Sequence, residues 1–190
     1  VAGDGTIYVA GDGSVAGFTR DAVWALTTAG APKLSFNGTG SRLLPTVSGS
    51  DNDIGDAALT SSGEVAVAAF AAPGADDVIS LRVVTATGAI TIDVSHGIAG
   101  LDARPAAVTV LPDGRFVVGA TLEGTTTMIS ALFAFSSAGV VEPAFGGGGA
   151  ALFGPPIPLF SVPIRVFGVG SQIAAVGMVG EAVHQRNHAG

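Results

Sequence analysis

Leu111-Pro112-Asp113-Gly114-Arg115-Phe116-Val117-Val118-Gly119 joins two apolar runs through an Asp-Gly pair. Such a dipeptide between apolar segments marks a β-hairpin, because its glycine supplies the positive φ that a tight hairpin turn requires. Gly139 follows Gly114 by 25 residues, and the same offset separates Gly5 from Gly30 and Gly63 from Gly88. Each first glycine precedes an apolar run: Ile7-Tyr8-Val9, Val65-Ala66-Val67 and Phe116-Val117-Val118. Three equal offsets at a spacing of about 50 residues signal an internal repeat, which points to a solenoid or a propeller.

Aligning the second glycines brings their flanks into agreement. Ala22-Val23-Trp24-Ala25-Leu26, Ile79-Ser80-Leu81-Arg82-Val83-Val84 and Ile129-Ser130-Ala131-Leu132-Phe133-Ala134-Phe135 each read as a strand entering a turn. Further apolar runs precede the first glycines at 57–59 and 106–111, and a comparable run lies at 164–167. Strands are therefore expected at about 6–11, 64–70, 115–121 and 173–178, in equivalent places of successive units. For the third copy the expected set is about 106–111, 115–121, 128–136 and 150–153. Apolar residues at adjacent positions, as in Phe116-Val117-Val118, fit strands covered on both faces. Helix is disfavoured by the Gly, Pro, Thr and Val content and by the lack of a 3.6-residue period. The fold expected is all-β, a β-propeller-like array of about three and a half four-stranded blades. It forms one segment over 1–190, with units at about 1–56, 57–103, 104–162 and 163–190. Phe36, Val94 and Phe145, each six residues past a second glycine, are expected to be buried at equivalent positions.

Composition narrows the function. Only 12% of residues are charged against 48% hydrophobic, about half the charge of an ordinary soluble domain. The net charge of -7, with Lys33 the only lysine, leaves no positive stripe for phosphates, so nucleic acid is not an expected partner. The uncharged stretch 143–164 contains Pro143, Pro155, Pro156, Pro158 and Pro163 and cannot form a continuous membrane helix. No membrane span is expected. Absence of cysteine excludes a disulfide framework and a thiolate metal site.

The 111–119 segment, the run Ala131-Leu132-Phe133-Ala134-Phe135 leading to Gly139, and Ala144-Phe145-Gly146-Gly147-Gly148-Gly149 together resemble the delta-60 repeat family of bacterial β-propeller-like proteins. Residues 4–11 with 34–40 look like a second copy. The acidic residue that the pattern places three after the turn glycine is Lys33, Thr91 and Glu142 here, so the first two copies depart from it, and Val94-Ser95 replaces Phe-Gly. The resemblance implies a fold built from turn and core residues and carries no active site.

Candidate sites are few, and no catalytic, cofactor-binding or metal-binding residue is assigned. Asp51-Asn52-Asp53-Ile54-Gly55-Asp56 is the densest carboxylate cluster; its spacing misses the EF-hand pattern, and it reads as a polar inter-strand loop without a tightly bound metal. His184 and His188 have zinc-ligand spacing, but on a strand four residues span about 13 Å, too far for one ion. His96 reads as a lone loop residue. Asp12, Asp76 and Asp77 read as solvated loop charges, and Gly146–Gly149 as a turn between blades. Asn37-Gly38-Thr39 fits a glycosylation sequon but is first a turn dipeptide.

Two functions remain open. One is a non-catalytic propeller scaffold or recognition module of an extracellular or cell-envelope assembly, binding protein or carbohydrate. Its partner would be another protein chain, or another copy of this one, completing the terminal blades. The other is a propeller-borne hydrolase or lyase acting on a polysaccharide, for which Asp12, Asp51, Asp53, Asp77 and Asp102 would have to converge.

Overall fold

The computed structural model describes residues 1–15, 18–45, 53–71, 76–124, 128–153, 159–169 and 172–181. Among these it contains 13 strands and no helix. The strands are β1 (Ile7–Val15), β2 (Phe18–Leu26), β3 (Ser41–Leu43), β4 (Asp53–Leu59), β5 (Val65–Ala71), β6 (Val78–Val84), β7 (Ile90–His96), β8 (Asp102–Val110), β9 (Phe116–Glu123), β10 (Met128–Phe135), β11 (Ala150–Phe153), β12 (Leu159–Val169) and β13 (Gln172–Glu181). They form four antiparallel sheets in up-and-down order: β1-β2-β3, β4-β5-β6-β7, β8-β9-β10-β11 and β12-β13. All four segments expected as strands around the first turn glycines are strands.

The hairpins explain why glycine recurs. In the first-glycine turns the Gly5, Gly63 and Gly114 N–H groups donate to the carbonyls of Ala2, Thr60 and Leu111 at 2.9–3.0 Å. In the second-glycine turns Gly30, Gly88 and Gly139 donate to Thr27, Thr85 and Ser136 at 2.9 Å. All six glycines have φ between 78° and 85°, where a side chain is strained. Thr27, Thr85 and Ser136 further fix their turns by accepting, at the side-chain oxygen, the N–H of the residue four ahead.

The sheets stack in chain order through three apolar layers. Val23, Ala25 and Phe36 of the first meet Val65, Val67 and Val84 of the second. The opposite face of the second, with Ala66, Ala68, Ile79, Leu81 and Val83, meets Phe116, Val118, Phe133 and Phe135 of the third. Ala107, Val117 and Leu132 of the third then meet Val166 of the fourth. The middle sheets are thus covered on both faces, which is why their strands are apolar at successive positions.

The turns past the second glycines differ between copies. Phe36 is fully buried, edge-on to Tyr8 with ring centroids 5.9 Å apart, whereas Val94 and Phe145 are only half-buried. Phe36 and Phe145 occupy matching turns, accepting N–H bonds from Gly40 and Gly149 at 2.8 and 3.1 Å. Val94 instead lies within β7, since Val94-Ser95 lacks the Phe-Gly pair and the chain runs on as a strand. Residues 53–56, expected as a loop, open β4, and β8 likewise starts ahead of its apolar run because polar residues continue the ladder. The expected turn at Gly146–Gly149 is observed, with Gly146, Gly148 and Gly149 at positive φ.

Turn and core positions yield two expected outcomes. A Cβ on Gly30 would meet nothing within 4 Å, whereas one on Gly88 would lie 2.8 Å from the Asn37 Cβ in the neighbouring sheet. Gly30→Ala should therefore cost about 1–2 kcal/mol from its backbone alone, and Gly88→Ala clearly more, as compared by urea unfolding midpoints. Phe36→Ala should cost about 3–5 kcal/mol and Phe145→Ala less, in keeping with their burial; equal losses would contradict the packing described.

Candidate functional site

Charged groups converge where the first and second sheets meet. The β1–β2 register sets Asp12 directly opposite Asp21, and like charges in that relation repel. Asp21 points into the interface and is fully buried. Arg82, 2% exposed on β6, reaches across with Nη1 3.5 Å from Asp21 Oδ2. Its Nε lies 3.1 Å from Asp93 Oδ1 on β7, and Nη1 donates to Ser80 Oγ at 2.9 Å. Ser80 Oγ in turn donates to the Ala69 carbonyl at 3.1 Å. Asp12 Oδ1 accepts the Ile54 N–H of β4 at 3.1 Å, tying the two sheets together.

Neither Asp21 oxygen has a hydrogen-bond partner. Burial first, then the facing Asp12 carboxyl, push the Asp21 carboxyl up to about 7, against the pull of Arg82. Two ionised carboxylates are both acceptors, so only a shared proton joins them. The folded state therefore holds a proton that an ordinary carboxyl, near 3.8, has released. The resulting stabilisation is complete below about pH 4 and is lost as pH rises through about 7.

The second and third sheets are linked by a separate set. Asp102 Oδ1 accepts the Asp77 N–H at 2.8 Å, and Asp76 Oδ2 accepts the Gly100 N–H at 2.9 Å. Arg104 pairs with Asp77 at 3.1 Å and with Glu123 at 3.5 Å while its guanidinium lies 5.0 Å from the Phe70 ring centroid. Asp56 Oδ2 accepts the Val108 N–H at 3.0 Å. This bond crosses two facing irregularities, at Ile54/Asp56 in β4 and Pro105/Ala107 in β8. The strands approach there so closely that a Cβ on Gly55 would lie 2.1 Å from the Pro105 carbonyl oxygen.

These placements revise several sequence expectations. Asp12 is a strand residue bonded to the next sheet, and Asp76 and Asp77 are held in inter-sheet bonds, so none is a free loop charge. Asp53 and Asp56 stand on β4 because the ladder with β5 begins at Asp53. Asp12, Asp21 and Asp53 gather at the first interface, while Asp77 and Asp102 belong to the second. His96 ends β7 and packs edge-on to Phe133 and Phe135, with centroids 5.6 and 6.4 Å away; burial lowers its pKa. Asp51, His184 and His188 lie outside the described residues. Among the described residues no group of three or more His, Asp and Glu has the geometry to hold a metal ion. The Asp21–Arg82 link was missed because strand register decides which residues face each other.

A cleft of about 510 Å³ opens at the turn end of the first interface, lined in part by Asp4, Tyr8, Thr60, Ser61 and Ser62. Lys33 Nζ lies 2.7 Å from Asp4 Oδ2 at its edge, and together with Thr6 holds that carboxyl well below the usual range.

Asp21→Asn should flatten the loss of stability between about pH 4 and 7 relative to wild type, a slope of at most about 1.4 kcal/mol per pH unit. The amide mimics the protonated acid, so the variant should gain on wild type as pH rises. Parallel urea-midpoint profiles over this range would show that Asp21 does not carry the proton.

Comparison of the chain with protein-family models, curated proteins and solved structures returned no match.

Proposed function

We propose that the chain is a non-catalytic scaffold or recognition module, a β-propeller-like array in which each sheet serves as one blade, working in an extracellular or cell-envelope assembly. What supports the array is the shared up-and-down strand order, the matching turn bonds and the stacking in chain order. Together with the motif resemblance to the delta-60 repeat family, these support a reading of about three and a half blades.

The observation that carries the non-catalytic reading is how the carboxylates are used. Asp12, Asp56, Asp76 and Asp102 each accept a backbone N–H from across a sheet boundary or a neighbouring loop. Their geometry serves to position backbone. The polar cleft beside Tyr8 is suited to a protein loop or a carbohydrate, since it offers an aromatic ring, hydroxyls and a carboxylate.

One feature favours the alternative hydrolase or lyase: the Asp12–Asp21 pair has one acid near neutrality beside an exposed carboxylate, the pattern of an acid–base couple. Asp21 is fully buried, however, and cannot touch a polymer without the sheets parting. Incubation with a panel of acidic and neutral polysaccharides, followed by assays for new reducing ends and unsaturated products, should show no turnover. Turnover abolished by Asp12→Asn would replace the scaffold reading with the enzymatic one.

A further inference from the structure

The sequence has four steps at which an aspartate or asparagine precedes glycine: Asp4-Gly5, Asp12-Gly13, Asn37-Gly38 and Asp113-Gly114. At such a step the glycine nitrogen can attack the side-chain carbonyl carbon and close a five-membered imide. The reaction needs an N–H that no acceptor holds, a carbonyl that is not an ionised carboxylate, and room for the chain to turn. The fold separates the four steps by these criteria. The Gly5 and Gly114 N–H groups are taken up by the Ala2 and Leu111 carbonyls at 2.9 Å. Lys33 and Thr6 keep the Asp4 carboxyl ionised, and the Arg115 backbone N–H and side chain do the same for Asp113. Asp12-Gly13 is fixed within the β1–β2 ladder, opposite Asp21 and Arg20.

Asn37-Gly38 meets all three conditions. Its side chain is a neutral amide, and among the described residues the Gly38 N–H meets no acceptor. Gly38 is exposed, and a Cβ built on it would meet nothing within 4 Å, so its peptide has room to move. The bond that spans the step, from the Thr39 N–H to the Phe36 carbonyl, is 3.3 Å long, the weakest closure of this turn. Asn37 is the one non-glycine residue among those described with a positive φ, 51°, a region that side-chain-bearing residues rarely adopt. Its Nδ2 donates to the Ser41 carbonyl at 2.9 Å and its Oδ1 accepts from Arg42 Nη1 at 3.4 Å. Both bonds are open to water and restrain the amide weakly, while the guanidinium draws electron density from the amide carbon.

We propose that Asn37 is a site of spontaneous covalent modification, closing on the Gly38 nitrogen and reopening to aspartate and isoaspartate, and that this loosens the first sheet from the second. The Gly38 nitrogen loses its proton to solvent and attacks the Asn37 Cγ; the new C–N bond closes the imide, and Nδ2 takes up a proton and leaves as ammonia. Water then opens the imide at the Cγ carbonyl, giving aspartate, or at the main-chain carbonyl, giving isoaspartate. No oxidant or reductant is needed. The position joins two sheets: the Asn37 N–H donates to the Thr87 carbonyl at 2.9 Å, and a Cβ on Gly88 would lie 2.8 Å from the Asn37 Cβ. Aspartate sets a carboxylate oxygen where Nδ2 now donates to the Ser41 carbonyl, and two acceptors repel. Isoaspartate routes the main chain through Cγ, which lengthens the turn and displaces both contacts with the second sheet.

The test is to age the folded chain in mildly alkaline buffer at physiological temperature and follow it by peptide mass spectrometry, with a urea-unfolded sample alongside. Trypsin releases residues 34–42 as one peptide in which Asn37 is the only asparagine; Asn52 and Asn187, which precede Asp53 and His188, serve as internal references. The 34–42 peptide should gain the mass of the amide-to-acid change and split into aspartate and isoaspartate forms well ahead of both references. The urea midpoint should fall in step with that conversion. Asn37→Gly keeps the positive φ and removes the amide, so its own midpoint should hold on ageing; separating modified from unmodified wild type by chromatography gives the same comparison if that variant unfolds. An Asn37 amide that survives in the folded chain while it converts in urea, or that converts no faster than Asn52 and Asn187, would overturn the site. A modified chain with the midpoint of the unmodified one would overturn its effect on the interface.

Discussion

The second and third sheets bury both faces, and much of the rest of the molecule answers to that constraint. A sheet with a solvent face can alternate polar and apolar residues; one covered on both sides cannot. β5 is buried at Val65, Val67 and Ala71 as well as at Ala66 and Ala68, and β9 at seven consecutive positions. At about 25 cal/mol per Å² of apolar surface removed from water, such layers supply the main force holding the sheets face to face. Few backbone hydrogen bonds cross from one sheet to the next, among them Asn37 N–H to the Thr87 carbonyl and Ala103 N–H to the Asp77 carbonyl, both at 2.9 Å. Much of the task of fixing the sheets relative to one another falls to the polar side chains crossing the layers.

Arg82 shows what such a crossing requires. It stands where the third sheet has Phe133, beside an apolar layer, and brings a guanidinium among Asp21, Asp93 and Ser80. Desolvating an ion pair can cost more than the attraction returns. Here the cost is limited, because Asp21 can take up a proton near neutral pH and leave Arg82 to Asp93. The pair therefore adds direction more than strength, locking the first sheet against the second in one register. Arg104 does comparable work at the next interface from a more exposed position, with Asp77, Glu123 and the Phe70 ring around it.

How much of this was legible in the sequence depended on how local the cause was. The turn glycines were readable because positive φ is a requirement of a single residue, and the strands followed from the apolar runs between them. Phe36 and Phe145 were readable as matching turn positions, but their unequal burial was not, because that is set by the adjoining sheet. The bulges at Gly55 and Ala106 left only faint marks, a glycine between polar residues and a proline within a strand. Asp12 opposite Asp21 depended on the β1–β2 register, where a shift of one residue would send the side chains to the other face. The carboxylate run at 51–56 looked like a loop because its composition is that of a loop, yet the ladder with β5 claims it from Asp53 onward.

The departure at Lys33, where the third copy keeps the acidic Glu142, has a physical account that also bears on the low charge of the chain. Glu142 bonds Arg115, the residue after the turn glycine Gly114, at 3.1 Å. At the corresponding place in the first copy, Thr6 follows Gly5, and Lys33 reaches both Thr6 and the turn residue Asp4. The second copy has Glu64 and Thr91 at these two places, and Glu64 turns to Ser62 instead. What the first and third copies share is a bridge from the outer turn back to the inner hairpin, with charges of opposite sign exchanged between its ends. Four of the eight cationic side chains, Lys33, Arg82, Arg104 and Arg115, are engaged in ion pairs of this bridging kind or between sheets. Exposed pairs contribute at most about 1 kcal/mol, so their value lies in fixing turns and sheets that apolar layers alone would allow to slide. A stack whose large faces are buried needs little charge along its length, and half of the cationic side chains present are spent on fixing turns or holding neighbouring sheets together.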